Sequence, residues 1–519
     1  MARGARQRRS GPRPGRARGA RACRAGLPRR LHRGRVVPAG GRAMIGALKV
    51  FILPLAIWLT MLSTVLLGIL WRAELPVMLY AVLAPLPTLW YPTHDFVFGK
   101  DTMDLLIASA MLGVVVNKGG FQRTPHLGWI VAISVYTYAA LWNTTLRFGL
   151  DSPFTRSNPY LADWKNYVLM LLVYVAAFNA VRTEQHVRWL VNLSVGALLF
   201  MVQRELTGFV AGSAFSYGSR ANGPFWVVGM NANHFGAFVA HIGVFALGLG
   251  LLDKHPVRRW VYLGAFAGSL YPLLFSYSRG AYLAVLAALC VFGVMRHRWL
   301  LGLVAVLAVL WQVVLPDSVV DRITMTEGED GELEASAAGR VEVWEHARTL
   351  FLQSPIFGIG LNGFMTARAG ETLTDPHNFY LKVAAEQGVV GLLLLFGMLL
   401  AFLHSAWRLQ RDARTPFAAG LGYGGMGCII AVMVTNAFGD RFSQLALGST
   451  FFLLLGAIER MRLLQAEAPE STDPVPGAAG AARTRSGPPS GAVGRDGRPP
   501  RARRDRNGRL IAPGEATSR

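Results

Sequence analysis

Long apolar runs recur along this chain from Ile45 to Ile458, and each is bounded by charged residues, glycine or proline. Runs of about 17 to 25 apolar residues are long enough to cross a bilayer as helices, which satisfy every backbone polar group within the segment. The chain is 52% hydrophobic and only 16% charged, as is typical of polytopic membrane proteins. The sequence therefore predicts an all-α fold, a polytopic transmembrane helical bundle of about 12 to 14 spans over residues 44–460.

The positive charge of the chain, +23 overall, is concentrated at its two ends. Residues 1–43 contain fourteen arginines and no acidic residue, and residues 461–519 are rich in proline, glycine and arginine without apolar periodicity. Such compositions cannot bury a core, so we predict two disordered segments, the second a cytoplasmic tail. Their arginines lack interleaved aromatic residues, which argues against nucleic acid as a partner. We expect translation to begin at Met44, directly before the first apolar run.

Basic residues cluster in short loops between the apolar runs and predict how the bundle is oriented. An even number of predicted spans separates each of these loops from the next, so all four are expected on the same side of the membrane. Their positive charge indicates the cytoplasmic side: residues 182–188, 253–259, 296–298 and 408–414. Counting from them places four connections on the opposite, external side: residues 204–233, 276–280, 316–376 and 439–441. Polar side chains in these four connections are therefore expected to share one face of the membrane.

The external connection 316–376 is too long for a simple loop and is predicted to carry amphipathic helices. Its second half repeats apolar residues at helical spacing: Val343, Trp344, Ala347, Leu350 and Phe351. We expect this helix to lie on the outer membrane surface, with Arg340 near its start, and to stop before Pro355. The glycine-rich stretch 356–364 would then turn the chain back towards His377, and it lacks the lysine and hydroxyl residue of a P-loop.

The stretch 374–391, TDPHNFYLKVAAEQGVVG, gives a reactive side chain an ordered setting at the start of a membrane helix. Asp375 and Pro376 are typical of an N-cap and a first helical residue, which predicts His377 and Asn378 in the first turn. The same helical face would carry four further residues, the last three small enough for a neighbouring helix to approach: Leu381, Ala384, Gly388 and Gly391. The histidine is thus expected to point into the bundle, near its external end.

Two arginines on the external side suit the binding of an anion. Arg279 lies in a turn between two spans, where a charge is costly unless it faces a cavity, binds an anion or snorkels to the interface. Arg340 either binds the same anion as Arg279 or merely faces lipid headgroups. Two guanidinium groups and a helix N-terminus on one face predict a diphosphate site, because guanidinium binds phosphate bidentately. Beside these cations His377 is expected to be neutral and able to accept a proton.

These stretches together resemble the bacterial O-antigen ligase and polymerase family, whose members transfer glycans from polyprenyl diphosphate carriers. The signature around the histidine is present as His377, Asn378, Gly388 and Gly391. Arg340 with the glycine turn after it is similar to the arginine helix and turn that precede the histidine in the family, and Ser278-Arg279-Gly280 looks like its arginine between two spans. The resemblance extends from Ser276 to Gly391.

The resemblance implies a glycosyltransferase in the bacterial inner membrane with its active site facing the periplasm. The donor would be a glycan on undecaprenyl diphosphate, held by Arg279 and Arg340, and His377 would deprotonate or orient the acceptor hydroxyl. A single displacement would invert the anomeric centre. No cofactor or metal is expected, because the external segments lack HExxH, DxD and Cys/His clusters.

The acceptor stays open between three classes. A lipid A core would make the protein a ligase, which we rank first; a lipid-linked glycan would make it a polymerase, and a protein hydroxyl an O-oligosaccharyltransferase. A transporter of lipid-linked glycan is the alternative from another class. Transporters usually place charges near the middle of the bilayer, whereas the important charges here cluster at one face.

Three further residues are weaker candidates for the site. Asn378 either positions His377 or caps its helix. Asp440 either orients the acceptor or the histidine, or forms a salt bridge with Arg441 or a turn cap. Arg220, with polar neighbours before the next span, either holds sugar hydroxyls or belongs to a polar loop.

Overall fold

The computed structural model describes residues 52–209, 212, 215–216, 218–325, 335–371 and 374–467. The regular elements within these ranges are all helical, which confirms the all-α class. The α-helices in chain order are α1 Leu53–Leu70, α2 Glu74–Leu83, α3 Pro87–Trp90, α4 Thr102–Asn117, α5 Leu127–Phe148, α6 Leu161–Ala180, α7 Glu184–Gly208, α8 Ala232–Leu252, α9 Pro256–Phe275, α10 Arg279–Met295, α11 Trp299–Val314, α12 Asp317–Thr324, α13 Ala335–Gln353, α14 Gly363–Ala367, α15 Phe379–Asp412, α16 Pro416–Asn436 and α17 Leu445–Glu467. Short 3₁₀ segments occupy Tyr91–Asp95, Gly99–Asp101 and Gly223–Val228.

The described residues up to Ala466 form one compact unit, and Glu467–Arg519 is a separate unit of which only Glu467 is described. The last helix, α17, reaches Glu467. The predicted basic segment 1–43 lies outside the described residues, as do residues 468–519 of the predicted tail 461–519. Residues 461–467 of that tail are helical, as the end of α17.

Six helices of the described chain are long and apolar enough to cross a membrane: α1, α6, α7, α8, α15 and α16. The number rises to eight if two sharply bent helix pairs each count as a span, α2 with Pro87–Asp95 (104°) and α11 with α12 (107°). Pro85 lies two residues after the end of α2 and Pro316 two residues after the end of α11, and a proline cannot continue the helical hydrogen bonding. The chain is thus a multi-pass helical membrane protein, with fewer qualifying spans than predicted because other apolar runs form shorter or less apolar helices, such as α10 with 17 residues.

Two glycine-containing helices form the centre of the bundle. Nearly every side chain of α8 is buried, and α8 packs along α16. A Cβ atom built on Gly248 would lie 2.3 Å from Cα of Gly424, and one on Gly424 would lie 2.4 Å from the carbonyl oxygen of Phe245. The two backbones therefore touch, a packing that small residues allow in membrane helices.

The predicted cytoplasmic loops meet at one end of this centre. The guanidinium groups of Arg188 and Arg258 both lie over the ring of Phe417, 5.2 Å and 5.7 Å from its centroid. His297 Nδ1 lies 3.0 Å from the hydroxyl of Tyr423, two turns into the same helix. The predicted external connections approach one another at the opposite end, which carries the candidate site.

Helix α15 is broken at Gly388, whose backbone has φ 65° and ψ −162°. The glycine turn 356–360 packs its backbone into the break, since a Cβ atom on Gly388 would lie 2.3 Å from the carbonyl oxygen of Ile356. Four backbone hydrogen bonds join residues 355–360 to α15: Ile359 N to Ala385 O (2.9 Å), Gly360 N to Glu386 O (2.8 Å), Val389 N to Pro355 O (2.8 Å) and Val390 N to Ile356 O (3.3 Å). The prediction that Gly388 continues a helical face and admits another helix was wrong: the residue is not helical, and what approaches it is a turn that satisfies the polar groups freed by the break.

Candidate active site

His377 precedes helix α15 and is not part of it. The helix begins at Phe379, and its N-cap is Asn378, whose side-chain oxygen accepts hydrogen bonds from the backbone N–H groups of Tyr380 (3.0 Å) and Leu381 (3.2 Å). The prediction that His377 and Asn378 occupy the first helical turn was therefore wrong. An asparagine oxygen satisfies the first free N–H groups of a helix, so the helix starts after Asn378. His377 itself has φ 49°, in the left-handed region.

Two neighbours hold the histidine segment in this conformation. The backbone N–H of His377 donates to Oδ1 of Asp375 (2.6 Å), and the Nδ1 atom of the imidazole lies 3.4 Å from the same oxygen. Trp344 of α13 donates its Nε1–H to the carbonyl oxygen of Pro376 (2.8 Å). The side chain of His377 is 47% exposed, so about half of its surface is accessible to a substrate.

Helix α13 is the helix that the apolar spacing predicted in the long connection. Its apolar face is buried against protein, because Val343, Ala347 and Leu350 form a cluster with Ile359 and Phe364 and with residues of α15. The position of this helix on the outer membrane surface stays a prediction. The helix packs against both the glycine turn and α15, and Arg340 on this helix lies close enough to act electrostatically on His377.

The pKa of His377 is held below its ordinary value. Burial is the largest cause, and the positive charges of Arg340 and Arg441 act in the same direction. The carboxylates of Asp375 and Asp440 oppose them without reversing the shift. A histidine with a lowered pKa is neutral at pH 7 and can accept a proton there.

Asp440 forms an ion pair with a lysine on α15. Its Oδ2 atom lies 2.8 Å from Nζ of Lys382, and its Oδ1 atom accepts the backbone N–H of Ser443 at 2.9 Å. Burial opposes ionisation of this carboxyl, but Lys382 and Ser443 outweigh it and hold the pKa of Asp440 below its usual range. Lys382 also approaches Oδ2 of Asp375 at 3.9 Å, so it links two carboxylates near His377.

Arg441 is a site residue that the sequence did not single out. It is only 6% exposed, and its Nε atom has no hydrogen-bond partner among the described residues. Burial lowers its pKa to about 10, with Asp440 and Asp375 opposing and the nearby guanidinium of Arg340 adding to the reduction. The only signal in the sequence was an acidic and a basic residue side by side in a short external turn.

Arg220 supports the turn that precedes Arg279. Its guanidinium donates to the carbonyl oxygen of Ser276 (2.9 Å from Nε) and to Oδ1 of Asn233 (2.6 Å). Arg279 then opens α10, and a Cβ atom on the following Gly280 would lie 2.6 Å from Cβ of Phe438. The start of α10 thus packs against the turn that carries Asp440 and Arg441.

The side chain of Arg279 lines an apolar groove between helices α9, α10 and α11. The groove has a volume of about 550 Å³ and its walls are leucine and aromatic side chains, among them Leu270, Leu286, Leu303 and Trp311. Arg279 is the charged residue of this lining. A long apolar groove with a guanidinium in its wall fits an amphiphile with an anionic headgroup.

Residues 264–396 match the family model described as O-antigen ligase. The chain carries an O-antigen ligase domain. This confirms the resemblance seen in the sequence. No curated protein matches the chain.

The O-antigen ligase domain contains Arg279, Arg340 and His377, whereas other members of the cluster come from outside it. Arg220 precedes the matched residues, and Asp440 and Arg441 follow them. The helical packing therefore brings two charges from outside the matched stretch, Asp440 and Arg441, near its histidine.

Proposed function

We propose that this protein is a membrane glycosyltransferase that moves a glycan from undecaprenyl diphosphate to an acceptor hydroxyl at the periplasmic face of the bacterial inner membrane. The proposal is supported by an accessible His377 of lowered pKa near Arg340 and Arg441, and by an apolar groove whose lining includes Arg279. An O-antigen ligase is the preferred form of the activity, because it is the description of the matching domain.

The donor lipid would occupy the groove and the arginine cluster together. Its polyprenyl chain would replace lipid chains against the leucine walls, where close packing and not transfer out of water would favour it. Its diphosphate would lie at the N-terminal end of α10, within reach of Arg279, Arg340 and Arg441. The unpartnered Nε of Arg441 supports this placement, because a buried guanidinium nitrogen without a partner is costly.

In the proposed reaction, His377 takes the proton of the acceptor hydroxyl as its oxygen attacks the anomeric carbon. The bond between that carbon and the diphosphate oxygen breaks, and the electron pair leaves with undecaprenyl diphosphate. The arginines stabilise the charge that develops on the leaving group. One displacement of this kind inverts the anomeric centre and needs no metal or cofactor.

The residues proposed to bind the donor do not distinguish between acceptors, so a lipid A core, a glycan and a protein are all compatible with this site. The test is reconstitution of the full chain in liposomes with a glycan on undecaprenyl diphosphate and a panel of these acceptors. We expect His377→Ala to abolish transfer, because general base catalysis contributes about 10²- to 10⁴-fold. His404→Ala, an exposed histidine at the other end of α15, is the matched control and should keep full activity.

Wild-type protein that transfers glycan to none of the acceptors would contradict the proposal. Undiminished transfer by His377→Ala would remove the histidine from its role. A product that retains the anomeric configuration would contradict the single displacement.

A further inference from the structure

Asp375 contacts His377 in two ways that differ in what they can control. Its Oδ1 atom accepts the backbone N–H of His377 at 2.6 Å, which stabilises the left-handed backbone conformation. The same oxygen lies 3.4 Å from Nδ1 of the imidazole. A carboxylate beside one imidazole nitrogen favours the tautomer with the proton on that nitrogen and leaves the other nitrogen as the acceptor.

Lys382 lies one helical turn beyond the cap of α15 and faces the same carboxylate. Its Nζ atom is 2.8 Å from Asp440 and 3.9 Å from Asp375, and its side chain is only 15% exposed. The Asn378 cap sets where α15 begins and therefore where Lys382 stands. One buried cation thus balances the two carboxylates that flank the histidine.

We propose that Asp375 is the positioning residue of His377, holding the proton on Nδ1 so that Nε2 receives the acceptor proton, and that Lys382 holds Asp375 and Asp440 in place. The inference rests on the proposed function for the role of Nε2. The contacts between Asp375, Lys382 and the histidine do not depend on the identity of the acceptor.

The charges that face His377 come from several packed elements. Asp375 belongs to its own segment, Arg340 to α13, and Asp440 with Arg441 to the turn before α17. His377 in turn acts electrostatically on His234, in the first turn of α8. Asp375 is the carboxylate with the strongest influence on the pKa of His377, and it opposes the effect of the arginines.

The first test replaces Asp375 by asparagine and measures the pH profile of transfer. Asp375→Asn keeps an oxygen for the backbone N–H and removes the negative charge, so the acid limb of kcat/KM should move to lower pH. We expect activity at pH 7 to fall on the order of ten- to a hundredfold, less than for loss of the base itself. Asp412→Asn, an exposed aspartate at the other end of α15, is the matched control and should leave the limb unmoved.

The second test changes the cation. Lys382→Met removes the positive charge beside both carboxylates, so the limb should move to higher pH, opposite to the effect of Asp375→Asn. Lys382→Arg should restore the wild-type profile. A merely structural role would lower activity at every pH without moving the limb, and that result in both Asp375→Asn and Lys382→Met would overturn the inference.

Nuclear magnetic resonance separates this inference from the proposed function. The sample is the full chain with ¹³C-labelled histidine in detergent micelles. The His377 signal is assigned as the one that is present in the wild-type spectrum and missing from the spectrum of His377→Ala. If wild-type protein transfers no glycan but this signal titrates at lower pH in Asp375→Asn, the positioning role stands and the proposed function fails. If wild-type protein transfers glycan and the titration of the signal is the same in wild type and Asp375→Asn, the positioning role fails.

Discussion

Replacing Gly388 by alanine should disrupt the link between α15 and the glycine turn. The φ and ψ of Gly388, 65° and −162°, lie in a region that residues with a Cβ atom rarely adopt, at a cost of about 1–3 kcal/mol. The added Cβ would lie 2.3 Å from the carbonyl oxygen of Ile356, and moving that backbone costs about another 1–3 kcal/mol. We therefore expect Gly388→Ala to lower the free energy of unfolding by about 2–6 kcal/mol.

Thermal unfolding in detergent micelles, followed by tryptophan fluorescence, measures this loss. Gly264→Ala is the matched control, because Gly264 lies within α9 and a Cβ atom there has no other atom within 4 Å. Alanine is favoured over glycine in a helix by about 1 kcal/mol, so the control should be as stable as wild type or slightly more stable. An unfolding temperature of Gly388→Ala equal to that of the control would refute the reasoning.

Three further changes test the proposed site. Leu286→Trp should narrow the apolar groove and raise KM several-fold for an undecaprenyl donor but not for a donor with a short prenyl chain; equal effects on both donors would argue against the groove as the lipid site. Trp344→Phe removes the hydrogen bond to the carbonyl oxygen of Pro376, worth about 0.5–1.5 kcal/mol, and should lower kcat more than it raises KM for the donor; a pure KM effect would contradict a role in placing His377. Arg441→Lys keeps the charge but loses the planar donor group, so KM for the donor should rise on the order of tenfold, whereas wild-type KM would exclude Arg441 from the diphosphate site.

The sequence predicted the local structure around the candidate site where its signal was local. The spacing of Val343, Ala347 and Leu350 predicted α13, because helical periodicity is visible in any short window. Asn378 was considered as a cap, and the structure shows it in that position. The direction in which α13 faces could not be read in the same way, because apolar residues suit both a lipid surface and a protein core.

The errors near His377 came from competing local signals. Asp375 and Asn378 are both good N-cap residues, and only the backbone that follows decides which of them caps the helix. Gly388 reads as a small residue on a helical face, but its φ of 65° is imposed by the turn that packs against it. Arg441 was passed over because a buried, unpartnered nitrogen is a property of packing, not of sequence.

The sequence by itself determined the class of this protein, an all-helical multi-pass membrane protein with an O-antigen ligase domain. Apolar runs carry that information because each must satisfy its own backbone polar groups in lipid. Only the tertiary structure decided which charges surround His377. Lys382 reaches Asp440 across 58 positions of sequence and Arg220 reaches Ser276 across 56, contacts that exist only because helices far apart in the chain end at the same place.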